Sequence, residues 1–130
     1  MSPLTLTILI SSFLLLDAMV VAAVFSLGAA ELKSLAADFP AREPQIHAER
    51  RNFQSFSLGL MNFGWCFHVI ADRDHVHILP ALLFRKLGVP NFSLPRSELK
   101  DPRKCLGGVQ VTLRGRDLKG PRWCLAPDML

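Results

Sequence analysis

The sequence predicts an α+β chain: an N-terminal transmembrane helix followed by a small antiparallel β domain, either a partial barrel or a curved sheet. Three observations carry that prediction. Hydrophobic residues make up 50% of the 130 positions, and the mean hydropathy of +0.28 is high for a small soluble protein. Leu4 to Leu27, "LTLTILISSFLLLDAMVVAAVFSL", contains no Lys, Arg, Glu or Pro, and about 20 apolar residues are enough to cross a hydrocarbon core of roughly 30 Å. From Asn52 onward the pattern changes to apolar/polar alternation broken by Gly, Pro and Asp, which marks short strands joined by turns.

Residues 4–27 form the membrane helix. Asp17 lies near its middle, where an ionised carboxylate costs roughly 2.5 to 3.5 kcal/mol, and the surrounding Leu, Ile, Val and Phe, at a few tenths each, offset it. Asp17 is therefore a candidate contact with a partner helix, weighed against a protonated or snorkelling side chain. A cleaved signal peptide is the competing reading. Its small-x-small site would be Gly28 and Ala30 in "LGAA", and cleavage there would yield an exported β protein. The uncharged start "MSPLT" and the long apolar run favour an uncleaved, single-pass anchor. Lys33 and Arg42 flank the helix on its C-terminal side, which predicts that the N-terminus is outside and the main domain is cytoplasmic. An odd set of cysteines, Cys66, Cys105 and Cys124, agrees with that compartment and fits neither a disulfide framework nor a zinc ribbon.

Residues 28–51 read as a helical extension followed by a Pro-containing stalk. Leu32, Leu35 and Ala36 continue the helical spacing until Pro40, and Pro40 and Pro44 then impose an extended linker. The β domain is expected over 52–130. Its first strands are Phe53 to Leu60 and Phe63 to Ala71 around a turn at Met61 and Asn62, with Trp65, Phe67, Val69 and Ala71 on one face. Asp72 to Asp74 makes a turn into "HVHILP". "ALLFRKLG" is ambiguous between helical turn and strand, "VPNFSLP" is an edge strand, and "RSELKD" is a helical turn. Val109 to Leu113 alternates as a strand, "RGRDLKGP" reads as a turn and "RWCLA" as the closing strand. Phe53, Phe56, Phe63, Trp65, Phe67, Phe84, Phe92 and Trp123 are the expected core. A domain this small sits near the lower limit for self-sufficiency, so the anchor or a partner is expected to cover its open side.

For chemistry, His75 and His77 share one strand face and His68 lies on the preceding strand, so these three are the only metal candidates. No Cys, Asp or Glu completes a ligand set at a recognisable spacing, and the expectation is outward, solvated histidines with no metal and no cofactor. Neither a nucleophile elbow nor a Gly-rich phosphate loop is present, so no catalytic residue is expected. Basic and aromatic residues interleave from Arg114 to Trp123, but without a recognition helix or a stacking pair no nucleic-acid partner is expected. The net charge of +4 and pI of 9.3 arise mainly in the C-terminal part. There Arg96, Lys100, Arg103, Lys104, Arg114 and Arg116 offer a candidate surface for a protein partner or for anionic lipid, at about 1 kcal/mol per residue. The alternative is a solvated basic face.

The segments "LKSLAADFPA", "FQS" and "LFRKLGVPNFSLPRSEL" resemble a group of small uncharacterised bacterial membrane-anchored proteins, in which a helix and an "LA..FPA" stalk precede a β domain. That resemblance implies architecture and no activity. More distantly, "LPRSEL" from Leu94 is similar to GRAM and pleckstrin-homology-like domains, which implies a lipid or protein adaptor. The chain departs from those domains by reaching Leu130 just after its last expected strand, without their capping C-terminal helix. The expected function is thus a membrane protein that presents a non-catalytic β domain as a binding module.

Overall fold

The computed structural model of the chain describes residues 2–128, so positions 129 and 130 of the expected β domain lie outside the described residues. Helix α1, Pro3–Asp38, is a single 36-residue element. Ser2 starts it: its side-chain oxygen accepts the Thr5 N–H at 3.1 Å, and Pro3 occupies the first turn, where a missing N–H is harmless. Phe39 closes it with an N–H to the Leu35 carbonyl, immediately before Pro40.

The helix has two environments. Every residue up to Val24 is exposed, whereas Gly28, Ala29, Leu32, Leu35 and Ala36 are buried against the sheet. The expected helical extension therefore exists, but it is not part of a free stalk. It fills the concave side of the β domain, and each fully buried Leu or Phe there contributes about 1.5–3 kcal/mol.

The sheet has seven strands: β1 (Glu49–Leu58), β2 (Met61–Ala71), β3 (His75–Pro80), β4 (Phe92–Pro95), β5 (Lys100–Cys105), β6 (Gly108–Leu113) and β7 (Arg116–Gly120). It is antiparallel throughout, in the order β4-β3-β2-β1-β7-β6-β5, and curls into a half-barrel. β1 pairs with β2 along its length but pairs with β7 at Ser57 and Leu58 alone, a short seam in the middle of the sheet. Leu32 and Leu35 of α1 face Phe56, Phe67, Ile78 and Leu118 across the concavity, leaving an apolar void of only about 20 Å³. The rings of Phe56, Phe63, Phe67 and Phe84 meet at centroid distances of 5.6 to 6.5 Å, in the tilted and offset range that aromatic pairs prefer.

Several local expectations change. The β1–β2 turn is Gly59–Leu60, two residues earlier than expected, because Gly59 adopts a left-handed φ of 60°. The β1–β2 ladder is interrupted by register shifts, and Phe53 and Trp65 sit there at φ 55° and 53°. Both leave the core, at 61% and 75% exposure, because the bulges break the alternation that would have buried them. "ALLFRKLG" resolves as the short helix α2 (Leu82–Lys86), which buries Phe84. "RGRDLKGP" is mostly strand β7, with the turn confined to Arg114 and Gly115, and "RWCLA" is the helical turn α3 (Arg122–Leu125) that buries Cys124 and Leu125. β5 was not expected at all.

Candidate functional site

Residues 39–45 lie across the sheet and do not hang free. Pro40 bridges Phe92, and the Ser93 N–H donates to the Phe39 carbonyl at 3.2 Å, so the linker extends the sheet beside edge strand β4. Beyond it, the Arg42 N–H donates to Ser93 Oγ at 2.8 Å and the Gln45 N–H donates to Asp72 Oδ2 at 3.1 Å. These two acceptors are the ends of a buried chain of polar side chains. His77 Nε2 lies 2.7 Å from Asp72 Oδ2, and His77 Nδ1 lies 2.7 Å from Ser93 Oγ.

Local sequence explains the placement. Asp72 opens the β2–β3 turn, and its Oδ1 accepts the Asp74 and His75 N–H groups at 2.9 and 2.7 Å, a side-chain-capped turn. His77 and Ser93 are directly paired residues on β3 and β4, so they share a face. With the Nε2 hydrogen directed at Asp72, Nδ1 accepts the Ser93 hydroxyl, and Ser93 in turn accepts from Arg42. Among the described residues no buried side-chain N or O atom lacks a partner. Burial alone would raise the Asp72 carboxyl, but the hydrogen bonds from His77 and from the His75, Gln45 and Asp74 amides outweigh it and hold the group well below the usual carboxylate range.

Asp, His and Ser in a hydrogen-bonded row have the form of an acyl-transfer triad, which is recognised by geometry and not by sequence position. Here Ser93 and His77 are only 2% and 3% exposed and Ser93 is held by a backbone amide, so no substrate atom reaches the hydroxyl. The arrangement fastens the linker to the sheet.

The three histidines do share a face, as expected, since Ile70 and His68 on β2 pair with His77 and Leu79 on β3. They are not a common site. His77 is buried beneath the linker and not solvated, with both ring nitrogens used; His75 stacks beside it at 5.7 Å. His68 packs edge-on against Phe53 and accepts the Phe53 N–H through Nδ1. Among the described residues no group of three or more His, Cys, Asp or Glu is placed to hold a metal ion.

The basic candidates also separate. Arg96 points inward, donating to the carbonyls of Asp72 and Cys124 at 2.8 and 2.7 Å. Arg114 lies over the Phe39 ring at 4.4 Å and 3.5 Å from Glu98, Arg116 is 3.5 Å from Glu31, and Arg103 is 3.5 Å from Asp117. Lys100 and Lys104 stand exposed on β5. This edge strand also carries Pro102 and a register shift near Asp101, whose φ is 52°. Lysines, proline and a bulge are devices that blunt an edge against strand addition, so β5 is a poor template for an incoming peptide. Asp17 lies on the bare half of α1 and is exposed.

An open cleft of about 630 Å³ lies beside the β2–β3 turn, lined in part by Arg73, Arg96, Leu99, Pro102 and Leu125. Sequence reasoning missed the Asp72–His77–Ser93 row, whose only trace is an Asp at a turn, a His five residues on and a Ser in the next strand. No protein-family model, curated protein or solved structure matches this chain.

Proposed function

We propose that the chain is a single-pass membrane protein that carries a non-catalytic β domain as a binding module on the cytoplasmic side of the bilayer. The observation that carries this reading is the continuity of α1, which is long and apolar enough to span a membrane over its bare half and is the core of the domain over the rest. Gly28 and Ala29 are buried within that continuous helix. A Cβ on Gly28 would come within 3.0 Å of the Phe63 ring, so the small residue answers a packing need, which supports an uncleaved helix.

The cleft beside the β2–β3 turn combines charges of both signs, Arg73 and Asp128 among them, with apolar walls, a suitable surface for a protein partner. Such a module, turned to the cytoplasm, has the adaptor role that the distant GRAM and pleckstrin-homology-like resemblance implies. The test is alkaline extraction of membranes together with a reporter fused to the C-terminus. An integral chain with a cytoplasmic C-terminus is expected. A mature chain that begins near Glu31 and is released from the membrane would overturn the proposal in favour of the exported form.

A further inference from the structure

A second apolar surface surrounds the point where α1 enters the domain. Val24 and Phe25 of the helix line a groove of about 400 Å³ with Leu60, Gly64, Cys66 and Phe84, and the Phe25 and Phe84 rings are 5.8 Å apart. Around it, Leu60 in the β1–β2 turn, Trp65 between Gly64 and Cys66, and Leu82 and Leu83 on α2 project into solvent. A helix that rises 1.5 Å per residue and starts near Leu4 leaves a hydrocarbon core of roughly 30 Å close to Val24. The exposed apolar end is therefore level with the bilayer boundary.

We propose that this end of the β domain, through Leu60, Trp65, Leu82 and Leu83, is embedded in the headgroup and upper acyl region of the same bilayer that α1 crosses. The proposal rests on the single-pass reading and adds a lipid contact to it. Leu60 follows Gly59 in a two-residue hairpin turn whose left-handed position the glycine fills, and a large apolar side chain there is fully exposed. Trp65 is turned out of the sheet by a backbone conformation that non-glycine residues adopt only at a cost, and an indole is the side chain most at home at a membrane interface.

Charge follows the same axis. Arg85 and Lys86 end α2, and the Lys33 ammonium lies beside Gly88 just after it. Lys33 is two helical turns beyond Phe25, about 12 Å further from the hydrocarbon, which is just past the headgroups on the aqueous side. Glu31, the acidic residue nearest that level on α1, is paired with Arg116.

The test uses the full chain in phosphatidylcholine vesicles, with Trp123→Phe to leave Trp65 as the remaining indole. Its emission is expected to be quenched by lipids brominated near the carbonyl end of the acyl chains and shielded from aqueous iodide. Trp65→Phe, which leaves the half-buried Trp123, is expected to show no bromine quenching. Adding Leu60→Asp and Leu82→Asp to the Trp123→Phe chain should restore iodide access to Trp65. A chain that floats with the vesicles while Trp65 is insensitive to bromine overturns the lipid contact alone, an indole open to iodide marking a bare end and a shielded one an end covered by protein. A chain that does not float overturns the contact and the anchor together. Equal bromine quenching of Trp65 and Trp123 also refutes the seating described.

Discussion

Replacing Asp72 by Ala tests the fastening of the linker. The substitution removes the acceptor for His77 Nε2 and for the backbone N–H groups of His75, Asp74 and Gln45. These four hydrogen bonds to a carboxylate, at about 1 kcal/mol net each, sum to about 3–5 kcal/mol. With a urea dependence of roughly 2 kcal/mol per molar for a small domain, that is a fall of about 2 M in the unfolding midpoint. The measurement is urea titration of the detergent-solubilised full chain followed by tryptophan emission, with trypsin cleavage after Arg42 as a local probe of the linker. Because folding holds the Asp72 carboxyl below its usual range, its stabilising contribution is complete above about pH 4 and fades as the pH falls further, the unfolded chain taking up the proton first. Asp72→Asn should therefore flatten the acid limb of the stability curve while leaving the shape of the side chain. An Asp72→Ala chain with an unchanged midpoint and a linker as resistant to trypsin as before would refute the role assigned to this network.

Gly28→Val should destabilise the full chain by about 1–3 kcal/mol in the same titration, since the new Cβ meets the Phe63 ring at 3.0 Å and that ring, packed on Phe67 and Phe84, must shift to admit it. Asp17→Leu should raise membrane insertion of α1, measured by glycosylation mapping, by up to about 3 kcal/mol and leave the β domain's stability unaltered. Cys124 is buried and its thiol is pushed up to about 12 by that burial, so iodoacetamide at pH 8 should label it only after unfolding, as read by mass spectrometry.

Legibility in the sequence tracked how local the cause was. The helix could be read because its uncharged length is a property of one segment, and β2 and β3 because alternation is a property of neighbours. Trp65 was misplaced because a bulge shifts the period, and nothing in "NFGWCF" announces a left-handed φ at a tryptophan. β5 was invisible because an edge strand of Lys, Asp, Pro and Arg buries almost nothing, while β7 and α3 were misassigned because each offers only one or two core side chains. His77 illustrates the same limit. Its face was inferred correctly, but its burial depends on Arg42 and Gln45, which come from a segment some thirty residues earlier that read as a free stalk.

Helix α1 contains no proline after Pro3 and only one glycine before Asp38, so it offers no hinge between its two halves. If the anchored reading holds, the domain is the long arm of a lever. The stretch from Leu4 to Val24 already matches a hydrocarbon core of roughly 30 Å, and a change in that thickness is met by a change in the tilt of the rod. Since the sheet is packed onto the same rod, that tilt sets the compass bearing of the cleft. A thinner or thicker bilayer would then swing the cleft relative to the membrane plane, turning lipid thickness into an angle that a partner could read.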